Sequence, residues 1–65
     1  EEAKMEKLVG IYSSMEPVKV APILNSLEEE LAVKILSRLG EEQTAAILSN
    51  LSTEQAASYS SQLQQ

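Results

Sequence analysis

The chain has 65 residues, which is enough for one domain, and a net charge of −5 from ten glutamates against four lysines and one arginine. An excess of negative charge argues against a nucleic-acid surface, which needs clustered lysine and arginine side chains. There is no cysteine, so neither a disulfide nor a thiolate metal site can stabilise the domain. No apolar run approaches the roughly 18 residues of a membrane span, and no signal-peptide pattern is present.

The first predicted helix covers residues 1–14. Its apolar residues step by three and four positions, as in an amphipathic helix or a heptad seam: Met5, Leu8, Tyr12 and Met15. Two interpretations stay open, a helix that caps the domain or the end of a coiled coil that continues upstream. Because the chain begins at Glu1 without an initiator methionine, we expect it to be a segment of a longer protein.

The second predicted helix covers residues 17–26 and contains two prolines. Pro17 occupies the first helical position, where the missing N–H is not needed. Pro22 is the sixth residue and removes the N–H that would bond back to residue 18. A proline inside a helix costs about 3 kcal/mol. We therefore expect a distorted or partly 3₁₀ helix at this point.

Three further helices are predicted at 29–38, 41–50 and 53–62. Glu28, Glu29 and Glu30 cluster at the start of the first of these, and Glu41 and Glu42 open the second. The last begins with Ser52-Thr53-Glu54-Gln55, which fits a capping box in which the serine accepts from an N–H three residues on. No segment alternates with period two, so no strand is predicted.

An isoleucine-leucine pair recurs every twelve residues, at Ile23-Leu24, Ile35-Leu36 and Ile47-Leu48. The same register gives Ile11-Tyr12 near one end and Tyr59-Ser60 near the other. We expect each pair to be the apolar residues with which a short helix packs against its neighbour. At the ends of the array we expect the pair to lose this apolar character, and the C-terminal helix to form a polar cap. The predicted fold is all-α, a single domain forming a right-handed superhelix of about five short helices in 12-residue repeats.

The chain lacks the residues of most catalytic sites. Histidine, cysteine and aspartate are all absent, which removes the usual general base, the thiol nucleophile and most metal constellations. The only glycines are Gly10 and Gly40, so there is no phosphate-binding loop. We therefore expect a protein that is not an enzyme and that holds no resident cofactor.

The glutamates at the helix starts are the first site-like feature. Carboxylates complement the positive N-terminal ends of helices, and this structural role explains their positions. The alternative is a face of carboxylates that binds a divalent cation such as Mg²⁺, which prefers oxygen ligands. The residues that such a site would use are Glu28, Glu29, Glu41 and Glu42.

Departures from the repeat are the second site-like feature. Val18 and Leu31 are apolar at register positions where other copies are polar, so we expect both to point outward. Single exposed apolar side chains are ordinary in folded proteins. The alternative is a partner-binding patch formed by Val18, Pro22 and Leu31.

The segment from Ile11 to Pro17, then Ala21-Pro22-Ile23-Leu24, Ile35-Leu36 and Ala45-Ala46-Ile47-Leu48, resembles the helical-repeat domain at the intracellular N-terminus of MgtE magnesium transporters. It looks closest to the branch found at the C-terminal end of MotE-type flagellar proteins. The resemblance covers residues 8–63 and implies an MgtE N-domain-like, armadillo-like arrangement of the short helices. The family often has Asp-Pro-Glu at its turns, whereas this chain has Glu16-Pro17-Val18 and no aspartate, which weakens the transfer of a Mg²⁺ site.

The resemblance implies one of two functions. The first is a protein-protein interaction module that assists a flagellar motor protein. It would be carried outside the cytoplasm by a membrane-anchored stalk, could dimerise through an upstream coiled coil, and would not touch the membrane itself. The second is a cytoplasmic regulatory domain that responds to Mg²⁺ in an MgtE-type transporter. The Glu/Lys-rich start and the polar end of the chain favour the flagellar interpretation at this stage.

Overall fold

A computed structural model describes residues 2–64. It contains five helices in chain order: α1 Glu2–Ser13, α2 Pro17–Ser26, α3 Glu29–Arg38, α4 Glu41–Leu48 and α5 Thr53–Leu63. The predicted boundaries agree closely, except that α4 ends two residues early. No strand occurs among the residues described. The expected all-α fold is confirmed.

The helices pack mainly against the helix two positions away in the chain. α1 contacts α3 and α3 contacts α5, while α2 contacts α4, and the contact between α2 and α3 joins the two rows. The radius of gyration is 10.7 Å, close to the value of about 11 Å expected for a compact chain of this length. Helices of 8 to 12 residues are too short to be stable alone in water, so this packing sustains them.

Among the residues described, nine apolar side chains are buried and form the core. Every helix except α1 contributes to it, as does the turn after α3: Val20, Ala21, Leu24, Ala32, Ile35, Leu36, Leu39, Ile47 and Tyr59. Tyr59 is the largest fully buried side chain, and its hydroxyl donates a hydrogen bond of 3.2 Å to the carbonyl of Leu24. The expectation that the repeat fades at Tyr59 is therefore wrong. Only the second member of that pair, Ser60, is exposed.

Burial of the Ile-Leu pair changes along the chain in a regular way. The first member is 47% exposed in α1 and half-buried in α2, but Ile35, Ile47 and Tyr59 are buried in the last three helices. The second member is buried in α2 and α3, half-buried in α4 as Leu48, and exposed in α5. The first member is thus buried where a helix lies two positions earlier. The second member is buried only where a helix lies two positions later.

The helix α2 is α-helical throughout, including the turn that contains Pro22. The expected 3₁₀ distortion at this residue is therefore wrong. The proline deprives only the carbonyl of Val18 of its helical partner, and Val18 is exposed in the first turn, where water can reach it. A short-turn hydrogen bond occurs earlier instead, from Lys19 N–H to the carbonyl of Glu16 at 2.9 Å.

The predicted serine cap of α5 is present. The Ser52 hydroxyl oxygen accepts a hydrogen bond of 3.1 Å from the backbone N–H of Gln55. The residues that precede α2, α3 and α4 are Glu16, Glu28 and Gly40, and none of them makes a side-chain cap. The first turns of α3 and α4 carry glutamates instead. Their negative charges interact favourably with the positive N-terminal end of the helix dipole.

Candidate functional site

The carboxylates predicted as a cation face are not gathered in one place. Within residues 2–64, no group of three or more acidic side chains is arranged to hold a metal ion. Glu29 has a structural partner on another helix, because its Oε2 atom accepts hydrogen bonds of 2.6 Å from both Ser58 Oγ and Gln62 Nε2. The interaction joins α3 to α5. Of the four candidates, Glu29 therefore helps to hold the fold together.

Glu28 lies in a shallow hollow on α3 with Glu30, Leu31 and Lys34. The lysine ammonium in the same hollow opposes a second cation there. Glu41 and Glu42 are exposed in the first turn of α4. Glu41 and Glu42 are thus two candidate cation ligands that lie next to each other and are open to solvent, and their own helix contains no basic side chain.

The predicted partner-binding residues are not equivalent. Val18 is 54% exposed, and Pro22 is exposed four residues later on the same face of α2. Leu31 is half-buried and packs against the core, so the expectation that it points outward is wrong. The reason is that α3 is the central helix, covered by α1, α2 and α5. The exposed part of the predicted patch is Val18 with Pro22.

The helix α1 is held at both ends by polar side chains of other helices. At its start, Arg38 forms an ion pair with Glu2, with a second contact of 3.2 Å from Nη2 to Oε1. The Arg38 hydrogen bond lowers the pKa of Glu2, and the same bond raises the pKa of Arg38. At its end, Gln43 Nε2 donates to the carbonyls of Tyr12 and Ser13 at 3.1 and 3.2 Å.

Three helix C-termini are completed by side chains from later helices. The last carbonyls of any helix lack partners within it. Gln43 serves the end of α1, Tyr59 bonds the carbonyl of Leu24 near the end of α2, and Thr44 Oγ1 bonds the carbonyl of Leu36 in α3 at 3.0 Å. We did not predict these bonds from the sequence. Gln43 and Gln55 occupy the same register position, yet only Gln43 makes such a contact, so the repeat carried no signal for it.

An apolar groove runs along the side of α4. Its volume is about 410 Å³, and Glu41 is its one charged lining residue. Its apolar lining comes from the end of α3, from α4 and from the end of α5: Leu36, Leu39, Ala45, Leu48 and Leu63. We call it the α4 groove. No residue in it was among the predicted partner-binding candidates.

Comparison with known proteins bears on the family. Among residues 2–64, no helix is both long and apolar enough to span a bilayer. No curated protein and no solved structure matches the chain. The family model described as the MgtE intracellular N domain matches residues 1–65. This confirms the predicted resemblance to the MgtE N domain but does not address the predicted closeness to MotE-type flagellar proteins. The chain belongs to the MgtE intracellular N domain family.

Proposed function

We propose that this domain is a non-catalytic regulatory module of an MgtE-type magnesium transporter and that it responds to Mg²⁺. The observation that carries the proposal is the family match over the whole chain. The family is described as an intracellular domain, which favours the cytoplasmic alternative over the extracytoplasmic one. Of the two functions implied by the sequence, the regulatory one is therefore better supported than the flagellar one.

The acidic surface suggests how the module responds. Mg²⁺ keeps several of its waters and is commonly held by one or two carboxylates. Glu41 and Glu42 offer two adjacent, exposed carboxylates at the start of α4. A third carboxylate from a neighbouring domain would strengthen this site, because residues 2–64 supply no cluster of three. The module then binds Mg²⁺ weakly alone and more tightly when docked on its partner domain.

The surface formed by Val18 and Pro22 is our candidate for contact with a protein partner. α2 has no acidic residue, and its one charged residue is Lys19. In a chain of net charge −5, this is a face on which another acidic protein meets little repulsion. The partner role of these residues is a proposal that rests on exposure and charge.

The flagellar interpretation has less support from the packing. A coiled-coil stalk would need the apolar stripe of α1 to be free for a partner helix. Three residues of that stripe, Met5, Tyr12 and Met15, are half-buried and pack against the domain core. This arrangement is typical of a helix that caps its own domain.

Thermal unfolding in MgCl₂, against NaCl at equal ionic strength, tests the Mg²⁺ response. At a concentration about three times its Kd, Mg²⁺ stabilises the folded state by about 0.8 kcal/mol. For a domain of this size, that raises the Tm by about 3 to 7 °C. The NaCl control removes the contribution of screening.

The paired variant E41Q/E42Q should lose the excess stabilisation by Mg²⁺. Glu54→Gln is the matched control, because Glu54 occupies the register position of Glu42 in the next repeat. It should keep the response of the unmodified chain. Equal Tm shifts in MgCl₂ and NaCl would contradict the proposal that this domain binds Mg²⁺.

A further inference from the structure

Both sulfur atoms of the chain belong to the part of the molecule that attaches α1. The sequence contains no cysteine and two methionines, Met5 and Met15. Met5 is in α1, and Met15 is in the turn that follows it. Each side chain is half-buried and packs against the core. The helices α2 to α5 contain no sulfur, so a reaction at sulfur acts on the packing of α1 and of the turn after it.

Met5 lies beside the ion pair that holds the start of α1. It lines a surface hollow of about 280 Å³ together with Glu2, Lys34 and Arg38. These three neighbours are exposed, so a small oxidant in the solvent reaches the hollow. Oxidation of the thioether to a sulfoxide adds a polar oxygen. That oxygen accepts hydrogen bonds, and it would compete with the Glu2 carboxylate for the donors of Arg38.

Met15 lies beside the second attachment of α1. Its carbonyl oxygen is 3.5 Å from Gln43 Nε2, the atom that also donates to the carbonyls of Tyr12 and Ser13. Its side chain is half-buried against apolar neighbours. A sulfoxide oxygen at this position must either lose its water or turn out to solvent, and both cost free energy. Either change removes apolar contact at the end of α1.

We propose that Met5 and Met15 form a redox-sensitive attachment of α1, which hydrogen peroxide loosens by oxidising both thioethers. In each reaction the sulfur lone pair attacks one peroxide oxygen, the O–O bond breaks, and a sulfoxide and one water molecule form. The thioether is oxidised and the peroxide is reduced, so no further reactant is needed. Sulfoxide reductases reverse the modification, which makes the loosening reversible. The inference goes beyond the proposed Mg²⁺ response and is measured without a divalent cation.

Peroxide treatment of the chain tests the proposal, with Met5→Leu/Met15→Leu as the matched control. Leucine is close to methionine in volume and is apolar, so the double variant keeps the packing but cannot form a sulfoxide. Mass spectrometry follows the reaction as a gain of about 16 Da per oxidised methionine. Circular dichroism gives the Tm before and after treatment, and amide hydrogen exchange reports on each helix separately.

We expect complete oxidation to lower the Tm by at least about 4 °C. Amide exchange in α1 should become at least about tenfold faster, with a smaller change in α5. Incubation with both methionine sulfoxide reductases should restore the Tm and the exchange rates, because the two enzymes together reduce both sulfoxide epimers. The treated double variant should keep the Tm that it had before treatment. The proposal is overturned by an unchanged Tm after complete oxidation, by a similar fall in the double variant, or by unfolding of the whole domain at room temperature.

Discussion

Gln43 should stabilise this domain far more than its counterpart Gln55, although both are the third residue of a helix in the same register. The Gln43 amide has two N–H donors, and the carbonyls of Tyr12 and Ser13 accept from it. Each hydrogen bond contributes about 0.5 to 1.5 kcal/mol. Gln43→Glu removes both donors and places a carboxylate against carbonyl oxygens. We expect a loss of about 2 to 3 kcal/mol in the free energy of unfolding.

Such a loss is a large fraction of the total stability of a domain of this size, which is about 3 to 10 kcal/mol. The Tm should fall by about 8 to 24 °C, as followed by circular dichroism at 222 nm. Gln55→Glu is the control, because both substitutions put a negative charge in the first turn of a helix, where the dipole favours it by about 0.3 to 1 kcal/mol. If the two variants differ by less than about 0.5 kcal/mol, Gln43 does not hold α1 and the reasoning fails.

Three further predictions concern single residues. Tyr59→Phe should cost about 0.5 to 1.5 kcal/mol in urea unfolding, because it removes the hydrogen bond from a buried hydroxyl to the Leu24 carbonyl, which then keeps only the backbone N–H of Leu27 as its partner. An unchanged midpoint would mean that this bond does not stabilise the fold. The lowered pKa of Glu2 implies a stabilisation that is present above the usual glutamate pKa of 4.5 and is lost as pH falls through the lowered pKa. Arg38→Met should therefore flatten the dependence of the Tm on acid pH. If the variant and the unmodified chain show the same pH profile, the ion pair does not stabilise the domain. Val18→Glu should leave the Tm within about 2 °C of that of the unmodified chain. Leu31→Glu should lower the Tm clearly, because Leu31 packs on the core. Equal Tm values for the two variants would place both residues at the surface.

The twelve-residue repeat was sufficient to predict the number and boundaries of the helices. Short helices begin where glutamate or serine precedes an apolar stripe and end where that stripe is interrupted, and these are local properties of the sequence. The repeat also identified Ile35 and Leu36 as core residues, and both are buried in α3, which has a helix two positions away on each side.

In the other repeats, whether a residue is buried depends on which helices pack against it, and a local sequence pattern does not specify that packing. Ile11 and Tyr59 occupy the same register position, yet one is 47% exposed and the other is 1% exposed. Their burial depends on whether a helix lies earlier in the array. Gln43 likewise bonds residues about thirty positions away in the chain, a distance over which side-chain type alone carries no positional information.

Side chains near the C-terminus bond the ends of helices nearer the N-terminus, and this affects how the domain folds and how it tolerates truncation. In a simple solenoid, each repeat contacts only its neighbours, so a terminal repeat can be lost without consequence for the other end. Here the hydroxyl of Tyr59 in α5 donates to the carbonyl of Leu24 near the end of α2, across 35 residues of chain. A nascent chain that has not yet produced α5 therefore lacks this second hydrogen bond to the Leu24 carbonyl, which keeps only its backbone partner, the N–H of Leu27. Truncation at the C-terminus should likewise loosen the N-terminal half, so the domain is expected to fold and unfold as one cooperative unit.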